Sequence, residues 1–563
     1  MQTALRRDNN LSVSAAWARY SAIFAAAFFM LFLGSSRYLI VYDEGITLTN
    51  TMRVLAGQVI HRDFYYNYGP APIYALAGLF KMFGPSVLVD RLFWLSGDAL
   101  LVVSVYAITR QVSRETIART AMVLAFMWVF ATSVHTLLMV AILWSTWLLV
   151  RAFESDLPAG RGFAAGLLVG VAVLFRYDMG AGCLACHLLI LAIASGLRVS
   201  KLRSWCSSMA RSLWGYGLGL AIVVLPLTWI YMRARVIHDL LFDIVIYTAR
   251  HYRVGRGLPL PRPQIKQMQD LVVYVVAVLI LVAFYVAVRY LLRQRRSGVA
   301  WVVPQWIGLL ISFGIVATML YAKGILRIYA GAVEMPAMLC LVTTAALWER
   351  RDLLEPGLRQ LIKGAVVLFA FLTLWGDLHP ISSEHKFKSS MLMWFIVPGK
   401  MAPEPPFQRW CQDQTPITRG VCYVLDDDHI QTVEFLKAHT HSGDTLYVGL
   451  PQHDRVLVDD NITYFATQRL PATKWSHFDP FLQNSAPIQR EMISDLERNK
   501  PPYLALDSEF DKVHEPNGSS VHTGVHLLDD YIAQHYRLVK TFGEMTVLQR
   551  IPDTLTGEPL KLD

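Results

Sequence analysis

Apolar residues in this chain come in long unbroken runs up to about residue 377 and in short, alternating groups beyond about residue 400. The runs lie at 20–38, 87–109, 118–134, 136–152, 162–176, 180–197, 213–232, 270–290, 301–320, 329–348 and 361–377. Each approaches the roughly 20 residues that carry a helix across a bilayer. The pattern predicts a polytopic all-α membrane domain over 1–377 with about 11 transmembrane helices. The tail reads differently. It predicts a helix from Asp428 to about His439 with Asp426 or Asp427 as N-cap, a strand at Thr445–Gly449 and a helix near Ala486–Arg498. Strands at Tyr503–Asp507, Leu538–Phe542 and Thr546–Arg550 follow. Strands that alternate with helices predict a small α/β domain over 411–563. Between the two, 378–410 carries Pro380, Pro398, Pro403, Pro405 and Pro406 and reads as a linker or membrane-surface segment.

Composition agrees with a multi-pass membrane protein, since 54% of the 563 residues are hydrophobic and only 17% charged. No small-residue cleavage site follows the first run, which therefore reads as a retained anchor. Arg6, Arg7 and Arg19 precede it and place the N-terminus in the cytoplasm. Arg110, Arg114 and Arg119, then Arg198, Lys201, Arg203 and Arg211, then Arg289, Arg293, Arg295 and Arg296 fall in loops expected on the same side. An odd number of spans leaves the tail extracytoplasmic. Cys183, Cys186 and Cys340 fall in apolar runs, whereas Cys411 and Cys422 lie in the exported tail, where an oxidising compartment favours their pairing over two separate thiols.

Chemistry is expected where carboxylates stand just past the first apolar run. Tyr42-Asp43-Glu44-Gly45 leads through Arg53 and Gly57 into His61-Arg62-Asp63-Phe64, then Gly69-Pro70-Ala71-Pro72-Ile73-Tyr74 and an apolar stretch closing at Phe83-Gly84. That order of parts resembles the first extracytoplasmic loop of the C superfamily of integral-membrane glycosyltransferases, especially the branch holding the protein O-mannosyltransferases and the lipid A aminoarabinose transferase. The tail, through Asp460-Asn461-Ile462-Thr463-Tyr464-Phe465, Arg469-Leu470-Pro471-Ala472-Thr473 and Phe478-Asp479-Pro480, resembles the extracytoplasmic domain that ends some bacterial members. The resemblance implies that Asp43 accepts the proton of an acceptor hydroxyl as it attacks the anomeric carbon of a sugar phosphate. A positioned base contributes roughly 10²–10⁴-fold to such a step. Glu44 would orient that base or bind sugar hydroxyls. Both acids also suit the first turn of a short helix on dipole grounds alone. His61, Arg62 and Asp63 fit a sugar or phosphate site, and Arg62-Asp63 fits a surface ion pair equally well.

A second argument is independent of the resemblance. The loop at about 233–269 should lie outside the cytoplasm, yet it carries Arg233, Arg235, Arg250, Arg253, Arg256, Arg262 and Lys266 against Asp239 and Asp243, with His238 and His251 besides. Positive charge on the outer side opposes the topogenic bias. A polyprenyl phosphate head group would account for it, because arginine makes two-pronged, charge-assisted bonds to phosphate; general attraction to anionic lipid would as well. Arg250, His251 and Arg253 are the first choices for a phosphate site, with Lys323 and Arg327 expected on the same side. Arg176-Tyr177-Asp178, at a turn between two runs, is a lesser candidate.

The chain has no phosphate-binding GxxxxGK[ST] loop, dinucleotide-type GxGxxG, HExxH or GxSxG motif. No cofactor is indicated, and Asp43-Glu44 stands where an Asp-x-Asp metal motif would be, so a divalent metal is compatible but not called for. The expected activity is an inverting, polyprenyl-phosphate-sugar-dependent glycosyltransferase of the bacterial inner membrane, multi-pass, with its site at the outer face. Its partners would be a lipid-linked sugar donor, a lipid, glycan or protein acceptor and membrane lipids, and no nucleic acid. The alternative is a transporter or flippase of a lipid-linked glycan. That would predict charge-rich spans and an internal repeat, and neither is visible.

Overall fold

The computed structural model describes residues 13–35, 37–132, 136–154, 159–198, 202–259, 262, 268, 271–297, 329–349, 351, 354–378 and 408–552. Of the eleven apolar runs, ten coincide with helices, from Val13–Gly34 and Val87–Val112 to Tyr329–Glu349 and Pro356–Leu378; the run at 301–320 lies outside the described residues. Among the described residues, four helical stretches are long and apolar enough by themselves to cross a membrane: Ser14–Gly34, Val87–Val112, Leu213–Arg233 and Pro356–Trp375. Their neighbours pack closely where small residues allow it. At Gly166 an added Cβ would lie 1.9 Å from the Tyr216 carbonyl oxygen of the adjoining helix, so glycine sets that backbone approach.

The segment read from sequence as the first outer loop folds into two short helices, Asp43–Leu55 and Ala71–Phe83. The second buries Pro72, Ile73, Leu76, Ala77 and Phe80 and leaves Met82 and Phe83 exposed, the one-sided pattern of a helix lying along a surface. The segment read from sequence as a basic loop at about 233–269 is helical over much of its described part. A short helix at Ile237–Leu241 continues into π-helical turns at Phe242–Ile246 and Thr248–Tyr252 and a final turn at Arg253–Arg256. Widened turns of this kind re-aim side chains and are frequent at functional sites.

The tail forms a five-stranded sheet in the order β2-β1-β3-β5-β4, with β1 Thr445–Gly449, β2 Leu470–Pro471, β3 Tyr503–Asp507, β4 Tyr536–Phe542 and β5 Met545–Arg550. The first three are parallel, and β5 and β4 close the sheet antiparallel. Asp426 caps the helix Asp427–His439 by accepting from the His429 amide at 3.1 Å. The short helix Ile462–Thr467 and the helix Leu527–His535 were not anticipated, being too brief or too polar to show a period. Cys411 and Cys422 are joined, with their Cα atoms 5.4 Å apart.

The tail shares its core with the first outer loop. Leu39, Val41, Leu48, Leu76 and Phe80 pack with Trp410, Tyr423, Ile462 and Phe465 in one buried cluster. Backbone bonds stitch the same seam: the Leu39 amide donates to the Val424 oxygen at 3.0 Å, and the Asn461 and Ile462 amides donate to the Val41 oxygen at 3.1 and 3.0 Å. At Gly45 an added Cβ would stand 2.5 Å from the Ile462 nitrogen, so only glycine lets the helix Asp43–Leu55 begin flush against the tail.

Candidate functional site

Asp43 is the first residue of the helix Asp43–Leu55 and is exposed. It is near enough to the Tyr42, Tyr66 and Tyr68 phenols to add to the upward push that burial gives their pKa values. Tyr68 also lines a pocket, together with Asn67, Arg176, Asp178, Thr248 and Tyr252 among others. Three segments meet there: the first outer loop, the turn at 176–178 and the π-helical stretch of the basic loop. Arg176 lies over the Tyr68 ring at 5.4 Å and is held by Asp178 at 2.8 Å. A carboxylate and a guanidinium therefore flank the same tyrosines.

Glu44 has a different environment from its neighbour. Arg91 of the helix Val87–Val112 grips both its oxygens, Nη2 to Oε2 at 2.8 Å and Nε to Oε1, and the Ile40 amide donates to Oε2 at 3.1 Å. Arg91 also donates to the Tyr38 oxygen at 3.0 Å. The pair anchors the start of the loop to the membrane helices.

His61 sits at φ +72°, in the left-handed region that non-glycine residues enter sparingly. Its Nδ1 meets Asp243 Oδ2 at 2.8 Å, with both side chains buried, so it ties the first outer loop to the basic loop. Burial pushes the Asp243 carboxyl up, and the His61 hydrogen bond opposes that shift. Arg62 and Asp63 pair with each other at 2.7 Å on the surface, and Asp63 Oδ2 accepts from the Val59 amide at 2.7 Å. For Asp63, burial works upward, but bonds from Arg62 and the Val59 amide outweigh it and lower its pKa. Arg53, not singled out from sequence, is the buried strut of this loop: it donates to the Thr473 oxygen at 3.1 Å, Ser476 Oγ at 2.9 Å and the Asp63 oxygen at 2.8 Å.

Of the basic loop, Arg250 and His251 are exposed, and the His251 ring faces Tyr247 and Phe481 at centroid distances of 6.0 and 6.1 Å. Arg253 opens the last helical turn. Lys323 and Arg327 lie outside the described residues. The arginine that turns inward is Arg256, which reaches Asp479 Oδ1 at 2.6 Å through Nη2 and at 3.1 Å through Nε. Asp479 Oδ2 accepts from Tyr65 at 2.9 Å and from Asn67 at 3.0 Å. Tyr42 donates to the Phe478 oxygen at 3.1 Å, receives Arg256 Nη2 at 3.1 Å, and stands 3.1 Å from His477 Nε2. Burial pushes the Tyr42 and Tyr65 phenols well up, so both stay protonated and able to donate. The Phe478-Asp479-Pro480 motif thus plugs into the loop beside Asp43, through Asn67 of the pocket wall and Tyr42 next in sequence. The cue in sequence was slight: an acid between an aromatic residue and proline, and an arginine just after Gly255.

A sequence model described as dolichyl-phosphate-mannose-protein mannosyltransferase matches residues 67–229. None of the curated protein sequences matches the chain. Among solved structures, ArnT from Cupriavidus metallidurans bound to undecaprenyl phosphate aligns over 98% of this chain and 100% of its own, with 12% identity and a TM-score of 0.52. The same protein in the apo state aligns equally far, with 12% identity and a TM-score of 0.53. The matched segment begins at the pocket residue Asn67 and includes Arg91 and Arg176, while the likeness of fold extends through the tail. The chain therefore has the fold of the C superfamily of integral-membrane glycosyltransferases, of the ArnT and protein-mannosyltransferase type.

Proposed function

We propose that this protein is an inverting glycosyltransferase that moves a sugar from a polyprenyl-phosphate carrier to a hydroxyl of a lipid, envelope glycan or protein at the outer face of a bacterial inner membrane. The observation that carries the reading is the exposed Asp43 carboxylate near Tyr66 and Tyr68, the tyrosines that Arg176 of the pocket also neighbours. In the reaction, Asp43 takes the acceptor's hydroxyl proton, the oxygen bonds to the anomeric carbon from the face opposite the phosphate, and the carbon–oxygen bond to the carrier breaks. The electron pair leaves with the polyprenyl phosphate. Arg176 stabilises the charge that grows there, and Arg250, His251 and Arg253 receive the carrier's head group where it enters from the bilayer. Glu44, Arg256 and Asp479 position these groups without touching substrate.

Mass spectrometry of envelope glycolipids, glycans and glycoproteins with and without the gene tests the reading, with loss of one glycosyl residue from one class expected. Purified protein in lipid should then transfer the corresponding sugar from its polyprenyl phosphate, and transfer from a nucleotide sugar alone would reject the donor class. At the head-group site, Arg250→Lys and Arg253→Lys should weaken donor use while Arg262→Lys does not, because lysine cannot reproduce the two-pronged contact. Equal, wild-type-like behaviour of all three would leave only general attraction to anionic lipid.

A further inference from the structure

At the carboxyl end of β3, three polar atoms are buried with no hydrogen-bond partner: His429 Nε2, Asp460 Oδ2 and Asp507 Oδ2. They come from three separate segments, namely the helix Asp427–His439, the turn before the helix Ile462–Thr467, and the last residue of β3. His429 Nε2 stands 3.6 Å from Asp460 Oδ2 and 3.8 Å from Asp507 Oδ2. The remaining acceptor of each acid is already committed. Asp460 Oδ1 accepts from the Thr463 amide at 3.1 Å and Asp507 Oδ1 from the Glu509 amide at 2.9 Å. Each carboxylate is thus clamped by backbone on one side and turned toward the imidazole on the other.

On the far side of the ring, His429 Nδ1 meets Asp426 Oδ1 at 2.8 Å. A carboxylate there holds the proton on Nδ1 and aims the Nε2 lone pair into the gap, the arrangement that orients metal-bound histidines. Two ligand atoms about 2.1 Å from a tetrahedral ion stand roughly 3.4 Å apart, close to the 3.6 and 3.8 Å that separate His429 Nε2 from the two acids.

We propose that the tail binds one divalent first-row cation between His429 Nε2, Asp460 Oδ2 and Asp507 Oδ2, with Asp426 as the carboxylate behind the histidine. One imidazole and two carboxylates suit Zn²⁺ and Mn²⁺. The ion would add charge to a place where two buried carboxylate oxygens otherwise face only the imidazole, at 3.6 and 3.8 Å, and buried carboxylates are costly unless paired or metal-bound. Its place defines its role. Asp460 directly precedes Asn461 and Ile462, whose amides hold the Val41 oxygen at the foot of the helix that bears Asp43. The cation clasps the tail at the seam with the first outer loop and is not a participant in transfer.

The test uses the full-length protein in detergent and needs no activity assay, so it stands or falls separately from the proposed function. Protein purified without chelator should carry about one equivalent of metal by elemental analysis. After chelation and dialysis, Zn²⁺ or Mn²⁺ should rebind and raise the melting temperature. His429→Gln and Asp460→Asn should abolish both responses. Asp426→Asn, which leaves all three ligands in place, should keep the stoichiometry and weaken affinity by roughly 10–100-fold. Absence of metal and of any melting shift in the wild type overturns the proposal and leaves His429 a protonated counter-ion to its acids. Binding that survives His429→Gln and Asp460→Asn overturns it too, placing the ion elsewhere. If those variants fail to fold, Asp426→Asn decides alone, and unaltered affinity there rejects the site.

Discussion

Arg256 and Asp479 stand 223 residues apart in the chain and meet at 2.6 Å with both side chains almost wholly buried. The pair joins the basic outer loop to the tail, and through Tyr42 and Asn67 it reaches both Asp43's neighbour and the pocket wall. Removing one partner should leave the other charge buried and unpaired, at about 3–5 kcal/mol. Arg256→Met and Asp479→Asn should therefore each destabilise strongly, and the double variant should cost clearly less than the two together. Thermal melts of the four proteins check this, and simple additivity would show that the two residues do not act as a pair.

Asp43 and Glu44 are adjacent in sequence but opposite in environment. Asp43→Asn should leave melting behaviour intact and reduce transfer by at least about 10²-fold, since it removes the proton acceptor while preserving shape. Glu44→Gln should do the reverse in emphasis. It strips the charge that Arg91 grips, so the melting temperature falls and activity declines with the share of misplaced loop. A Glu44→Gln protein with wild-type stability and no turnover would exchange the two roles.

Local order was legible because it is written in short-range pattern. Apolar runs of helical length became helices, and the strand residues Thr445–Gly449 and Tyr503–Asp507 carry the aromatic and aliphatic side chains that suit a buried sheet. The site was legible only where neighbours in sequence share a role, as at Asp43. Counting cations in the basic loop could not tell that Arg256 turns inward while Arg250 stays exposed, since the difference is made by Asp479 on the other side of the molecule. His61 misleads for the same reason. Beside Arg62 and Asp63 it reads as part of a polar surface cluster, yet Asp243 draws it into the interior. The π-helical turns at Phe242–Tyr252 have no regular apolar period to betray them.

His477 makes acid sensitivity testable. Burial lowers its pKa from 6.5 to about 4, with Asp479 opposing and Arg256 reinforcing the shift. Tyr42, Tyr65, Asp479 and Arg256 surround it. Because the folded pKa lies below the unfolded one, the unfolded chain binds more protons between these values, and stability is lost as pH falls from about 6.5 toward 4. At about 1.4 kcal/mol per pH unit the loss reaches roughly 3 kcal/mol. His477→Gln should flatten this part of the melting profile between pH 7 and 4.5 relative to wild type. Superimposable slopes would mean that other groups account for the acid sensitivity.

The bridge between Cys411 and Cys422 closes a short loop that reaches back to the membrane helices. The Val87 amide donates to the Pro416 oxygen at 2.9 Å, and Arg419 donates to the Phe83 oxygen at 2.9 Å. Val87 starts the helix that carries Arg91, so the loop braces the base of the Glu44 anchor. Closing a loop of sequence separation 11 contributes at most about 3 kcal/mol in the chain-entropy picture. Loss of the bridge should then lower the melting temperature and open 413–420 to protease, while the amount of membrane-inserted protein stays unchanged. Limited proteolysis with mass mapping, on wild type with and without reductant and on Cys411→Ser with Cys422→Ser, reads both effects. Protein whose bridge is verified, yet which melts and resists protease identically after reduction, would show that the Pro416 and Arg419 contacts hold the loop by themselves.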